Sequence, residues 1–167
     1  MRIRNVHERV MVGPREVAAG LVDGLSGPND RLWPGDAWPS LQLDMPLCVG
    51  AAGGHGPVRY RVSEYEPGRK VAFRFDNSGL AAGLDGGHYF EVAERGEQVT
   101  LRHVIEAKCD LRTWLHWLLL IEPLHDALLE DALDRAELAV NPSFSGSSRW
   151  SLWVRFLRFL VKKTSPH

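Results

Sequence analysis

Apolar side chains at Val6, Val10 and Val12 alternate with charged or polar neighbours in NVHERVMV, which predicts a first strand. Gly13-Pro14 stops it, and Pro14 suits the first helical position of PREVAAGLVDGL, where Val17, Leu21 and Leu25 recur at helical spacing. SGPNDRLWPGDAWPS, dense in Pro, Gly, Asp and Trp, holds at most a short helix. Beyond Leu41 the period becomes two: LQLDMPL, VRYRVSEY, VAFRF, HYFEVAE and VTLRHVIEAKC each alternate, with EPGRK and ERGEQ as turns. Strands this closely spaced predict an antiparallel meander. The Gly-rich NSGLAAGLDGG, residues 77–87, is expected to be a loop, and AAGGHGP a tight turn.

A helical period then runs from Leu111 to about Val140, and Pro123 must kink or divide it. After the proline, Leu129, Ala132, Leu133, Ala136 and Val140 form an apolar stripe, with Asp126, Glu130, Asp134 and Glu137 largely on the other side. The chain thus divides into one domain over residues 1–141, a linker over 142–148 and an appended basic amphipathic helix over 149–163. An α+β architecture follows, because a curved sheet with an apolar face needs a cover and only the helix after Leu111 is long enough.

The segments VHERVMVGPREV, GPVRYRVSEYEPGRKVAFRF, GGHYFEV and LRHVIEAK followed by PLHDALLEDALDRAE resemble the START/Bet v 1-like (SRPBCC) superfamily, specifically its polyketide cyclase/dehydrase-like branch. The resemblance covers roughly residues 5–140. It implies the helix-grip fold, a curved antiparallel sheet wrapped around a long C-terminal helix. It also implies a small hydrophobic ligand, of lipid, polyketide or isoprenoid-like type, held in a central cavity for transport or sequestration. The alternative it leaves open is a cyclase or dehydratase acting by acid–base chemistry in the same cavity. No short catalytic signature accompanies it.

Strand parity predicts which side chains enter that interior. Tyr60 aligns with Val58 and Val62, Phe73 and Phe75 with Val71, His88 with Phe90, His103 with Leu101, and Glu8 with Val6, Val10 and Val12. A polar group recurs on several otherwise apolar faces. In a solid core each would need a partner, whereas a pocket with aromatic walls and a few polar groups accommodates them. Tyr60, Phe73, Phe75, His88, Phe90, Leu101 and His103 are therefore the expected ligand-binding residues, and His103, His88, Glu8 and Tyr60 the candidates for acid–base work. In the alternative, the two histidines are core residues bonded to backbone or to Glu8.

Other motifs carry less. His55 lacks a phosphate-loop context, and His116 and His125, nine residues apart across Pro123, do not share a helical face, so no metal site is expected. Cys48 and Cys109 show neither disulfide-framework nor zinc spacing, and no cofactor motif is present. Trp33 and Trp38 are expected to plug the open end of the grip.

Charge changes the picture only at the tail. Of 20 Lys and Arg, five lie in residues 142–167 without an acid, leaving 15 against 21 acidic residues in the body. A body of net charge near −6 argues against nucleic-acid binding. No run spans a bilayer and no signal peptide opens the chain, so a cytoplasmic setting is expected, with a peripheral place at a membrane surface as one option for the tail. In the tail helix Trp150, Trp153, Phe156 and Phe159 are interleaved with Arg155, Arg158 and Lys162. Its apolar arc must be covered by a membrane surface, by its own domain or by a second copy of the chain.

Overall fold

Seven strands form one antiparallel sheet: β1 (Arg2–Val12), β2 (Leu41–Leu43), β3 (Ala52–His55), β4 (Val58–Glu66), β5 (Lys70–Gly79), β6 (Asp85–Arg95) and β7 (Gln98–Lys108). The computed structural model describes residues 1–146 and 148–164, and their side chains up to residue 160. The strand order is β1-β7-β6-β5-β4-β3-β2, so the meander runs back until its last strand lies beside the first. Helix α1 (Arg15–Asp23) follows β1, and the helical stretch after the sheet is continuous but not uniform. It comprises α2 (Leu111–His116), a π-helical turn (Trp117–Ile121) and α3 (Glu122–Val140), and α4 (Leu152–Thr164) is the last of the described elements.

The irregular turn has a local cause. Pro123 sits in the first turn of α3 and has no N–H to return to the Leu119 carbonyl four residues back. That carbonyl instead accepts the indole N–H of Trp153 at 3.0 Å, tying α4 to the turn.

The core lies between the sheet and α3. Tyr60, Val62, Phe73, Phe90 and Leu101 project from the sheet onto Leu129, Leu133 and Ala136, and α1 adds Leu21 and Val22. A second cluster, Ile3, Leu84, Ile105, Ala107 and Trp117, fills the end under the π-helical turn, and Phe75 packs against both. This is the α+β helix-grip fold.

Strand β1 reverses the expected parity. Its inward row is Ile3, Asn5, His7, Arg9 and Met11, while Val6, Val10 and Val12 face outward. Glu8 therefore does not enter the interior; it lies on the outer face and pairs with Arg102 at 2.9 Å. The reason is charge. The polar side of α3 faces β1, not solvent: Arg9 meets Glu130 and Asp134 at 3.1 Å and also Glu137, and Asn5 donates to Asp126 at 2.9 Å.

Helix α4 packs on its own domain. Val154 and Leu157 are buried, and the Arg158 guanidinium lies over the rings of Trp38 and Trp150, 4.5 and 3.5 Å from their centroids, and donates to the Ala37 carbonyl. One carboxylate oxygen, Asp131 Oδ2, accepts from both indoles, Trp38 at 2.7 Å and Trp150 at 3.0 Å. The opposite side of α4 carries Trp153, Arg155, Phe156 and Phe159, all exposed, and the Lys162 side chain falls outside the described residues. Among the described residues, no helix is long and apolar enough to cross a membrane.

Candidate functional site

Five of the seven histidines converge on the grip interior, each delivered by a different element. His7 comes from β1, His55 from β3, His88 from β6, His103 from β7 and His125 from α3. They form a row. His55 Nδ1 lies 3.0 Å from the Tyr60 hydroxyl, and the Tyr60 ring meets His88 edge-on at 4.8 Å between centroids. His88 Nδ1 lies 3.1 Å from His103 Nε2. The His103 ring is then 5.1 Å from His125, and His125 is 5.9 Å from His7. Aromatic rings enclose the row: Phe73 stacks on His88 at 4.8 Å and Phe90 meets His103 edge-on at 4.6 Å.

The two ends differ. His88 and His103 are buried, and burial, together with the neighbouring imidazoles, holds both well below the ordinary histidine pKa. His55 is likewise pushed down by burial, to about 3, and burial pushes the Tyr60 phenol up, so both partners of this hydrogen bond are neutral. At the other end His7 lies between two carboxylates, with Nε2 2.9 Å from Asp126 and Nδ1 2.9 Å from Glu130. Burial opposes a charge on His7, but those two hydrogen bonds outweigh it and its pKa is raised. Burial pushes Asp126 up, and His125, His7 and Asn5 together pull it further down, so it remains an anion. Asp126 and Glu130 are about two-fifths exposed, so the row begins at the surface between β1 and α3 and ends in the aromatic interior.

The buried pair has a chemical property that does not depend on which tautomer is present. With both rings neutral, one of the facing nitrogens must donate and the other accept. The outer nitrogens, His88 Nε2 and His103 Nδ1, are then always one acceptor and one donor. Both are buried, and neither has a hydrogen-bond partner among the described residues. An unpartnered buried polar atom costs about 1–3 kcal/mol, which marks these atoms as more than packing.

Of the residues singled out by strand parity, Tyr60, Phe73, His88, Phe90, Leu101 and His103 are buried around this row and Phe75 lies at its edge, half-buried. Glu8 is the exception. The rings pack on one another across the space where an open cavity was expected. Two recesses of about 320 and 560 Å³ lie elsewhere, one beside Asp131, Arg135 and Trp150, the other between Asp23–Asn29 and Leu43–Leu47. Sequence reasoning left His7 and His125 out of the site and set His55 in a tight turn, where the structure has the end of β3. His7 was hidden by the false parity of β1 and His55 by the glycines around it. His125 was compared with His116 on its own helix when its neighbours come from β1 and β7. Trp33 and Trp38 are buried in the core, each indole bonded, to the Pro39 carbonyl and to Asp131.

No family model and no curated protein matches the chain in sequence. Solved structures do match in shape. A protein from Thermobifida fusca superposes with a TM-score of 0.64 at 16% identity, over 89% of this chain and 99% of its own. Norcoclaurine synthase from Thalictrum flavum, in complex with dopamine and hydroxybenzaldehyde, gives 0.62 at 15%, over 87% and 90%. CalU16 from Micromonospora echinospora gives 0.54 at 15%, over 96% and 84%. At such identities a shared shape speaks for architecture alone, and the architecture it establishes for this chain is the Bet v 1-like helix-grip fold.

Proposed function

We propose that the chain binds a small, mainly apolar molecule bearing a hydroxyl or carbonyl group, with that group held by the His88–His103 pair. The observation that carries this reading is the pair of unpartnered nitrogens, His88 Nε2 and His103 Nδ1, inside an aromatic interior. A hydroxyl both donates and accepts and so satisfies whichever outer nitrogen it meets, in either tautomer, whereas a carbonyl satisfies the one that carries the proton; the apolar remainder of the ligand replaces ring-to-ring packing with packing of its own. Room for it comes from movement of Phe75, which borders both apolar clusters, and of the π-helical turn, which covers the smaller one. The structural likeness to norcoclaurine synthase, solved with two small aromatic compounds, supports the same use of the grip.

Native mass spectrometry and solvent extraction of the purified chain test this. A copurified small molecule is expected, together with its loss in His103→Leu that is still folded by circular dichroism. Absence of any extractable molecule, with no uptake of a fluorescent apolar probe such as 1-anilinonaphthalene, overturns it.

Acid–base chemistry on the ligand is the second reading, and the tautomer argument favours it. Uptake of a proton at the outer acceptor nitrogen, passage of the shared proton across the 3.1 Å contact and release of the proton on the other outer nitrogen exchange donor and acceptor while both rings end neutral, so a proton is taken at one side of the pair and delivered at the other. Turnover of an identified ligand that is unchanged in both His88→Gln and His103→Gln rules this out.

We further infer that the ligand is met at an anionic lipid surface. Leu118, Leu119, Trp153 and Phe156 are each about half exposed, and the Trp153 bond to the Leu119 carbonyl joins them into one shelf. Residues 111–121 and 149–164 contain six Lys or Arg and no acid, a charge that suits anionic lipid.

A further inference from the structure

We propose that His7, His125 and Asp126 form a binding site for one divalent transition-metal ion of the zinc class, clamping β1 to α3. His7 Nε2 lies 2.9 Å from Asp126 Oδ1 and His125 Nδ1 lies 3.8 Å from the same oxygen. All three donor atoms fall within 4.8 Å of one another. Tetrahedral zinc, with bonds of about 2.0–2.2 Å, needs its donors roughly 3.3 Å apart, so the observed separations bracket the required one.

The surroundings prepare these atoms. Glu130 Oε1, 2.9 Å from His7 Nδ1, accepts the N–H on that side, so that a metal ion displacing the proton from Nε2 would find its lone pair facing Asp126. Arg9 holds Glu130 in turn, at 3.1 Å. Carboxylate–histidine–metal chains of this form fix the tautomer and raise the ligand's basicity. Asn5 Nδ2 donates to Asp126 Oδ1 at 2.9 Å and orients the carboxylate. With Nδ1–H committed to Glu130, the Nε2 lone pair facing a carboxylate oxygen requires a positive centre between them, either a proton or a metal ion. His125 Nδ1 favours the metal: it is buried without a hydrogen-bond partner, 3.8 Å from the carboxylate, too far for a hydrogen bond and suited to sharing an ion with it. Two imidazoles and one carboxylate leave a further coordination position for water or a ligand oxygen.

The site follows from topology and not from any local motif. His125 and Asp126 are adjacent on α3, and the third ligand arrives from the inward row of β1, more than a hundred residues away. The tethering it predicts is measurable apart from any activity.

The 167-residue chain, stripped with chelator and titrated with Co²⁺, is expected to bind one equivalent with a visible d–d absorption band of tetrahedral or five-coordinate type, displaced by Zn²⁺. Zn²⁺ is expected to raise the melting temperature. The band disappears in His125→Gln and in Asp126→Asn, whereas His116→Gln, a histidine outside the site, retains it. Glu130→Gln weakens binding about 10–100-fold. Two results overturn the proposal: folded wild-type chain that takes up no Co²⁺ and shows His7 protonated at both nitrogens by NMR, or stoichiometric binding that survives in folded His125→Gln and Asp126→Asn.

Discussion

His88 Nδ1 and His103 Nε2 face each other at 3.1 Å across adjacent strands, both rings buried and both held neutral. The pairing arises from the β6–β7 register, which sets Phe90 opposite His103 and His88 opposite Ile105, so the two imidazoles meet on the diagonal of one inward face.

Their neutrality dictates an acid lability. His55, His88 and His103 have folded pKa values below the unfolded value, His55 at about 3. Their contribution to stability is therefore complete above the unfolded pKa of about 6.5 and is lost as pH falls, because only the unfolded state takes up protons. Each contributes a slope of up to about 1.4 kcal/mol per pH unit. In chelator, urea unfolding between pH 6.5 and 5 is expected to show a steep fall in stability, offset in part by His7, whose raised pKa acts in the opposite sense. His88→Gln removes about one proton from the slope. A stability that is flat over this range contradicts the neutral burial of the row.

Arg9 is the electrostatic fastener between β1 and α3. It is largely buried and touches Glu130, Asp134 and Glu137, so Arg9→Met leaves three carboxylates facing one another. A loss of about 2–3 kcal/mol is expected from urea unfolding, diminishing in high salt as the remaining carboxylates are screened. Glu8→Gln, which alters an exposed pair on the outer face of the same strand, is expected to cost less than about 1 kcal/mol.

That contrast between Arg9 and Glu8 also explains what the sequence conceals. In β4 to β7 one face is apolar and the other polar, so alternation alone assigns Tyr60, Phe73, Phe90 and Leu101 to the core. In β1 the inward residues Asn5, His7 and Arg9 are polar because the helix side they meet is acidic, and Val6, Val10 and Val12 mislead. Alternation reports polarity, not direction, and the two separate wherever a buried surface is itself charged. β3 is hidden for another reason: an added Cβ on Gly53 would lie 1.9 Å from the Gln42 carbonyl oxygen, so the close approach of β2 demands glycine where strand propensity expects a branched side chain. The helix after Leu111 was legible together with its proline, though the π-helical turn that absorbs the proline was not.

Docking of α4 rests on polar anchors as much as on Val154 and Leu157. Arg158 lies over two indoles that share Asp131, so Asp131→Ala removes the acceptor of both Trp38 and Trp150 at once. Asp131→Ala and Arg158→Ala are each expected to raise proteolytic cleavage in residues 141–148 and to shift tryptophan emission to longer wavelength, while leaving the far-ultraviolet circular dichroism of the sheet unchanged. Cleavage at the wild-type rate in both variants indicates that the apolar contacts alone hold the helix.

The exposed side of α4 permits a test of the lipid surface that leaves the Val154, Leu157 and Arg158 contacts in place. Trp153 and Phe156 stack at 5.6 Å between centroids and stand about half exposed beside Leu119. Burying such side chains contributes about 1.5–3 kcal/mol each when complete, and each nearby Arg adds about 1 kcal/mol at an anionic surface. The wild-type chain is expected to float with vesicles containing phosphatidylglycerol and to do so weakly with phosphatidylcholine alone. Phe156→Ser is expected to weaken flotation without loss of melting temperature, and Trp153→Ser/Phe156→Ser to abolish it with a small loss of melting temperature, because the Trp153 bond to the Leu119 carbonyl goes as well. Arg155→Glu, exposed between them, lowers binding to the anionic vesicles only. Equal flotation of wild type and the double variant eliminates the lipid reading, and a concentration-dependent dimer that the double variant abolishes assigns the shelf to a second copy of the chain instead.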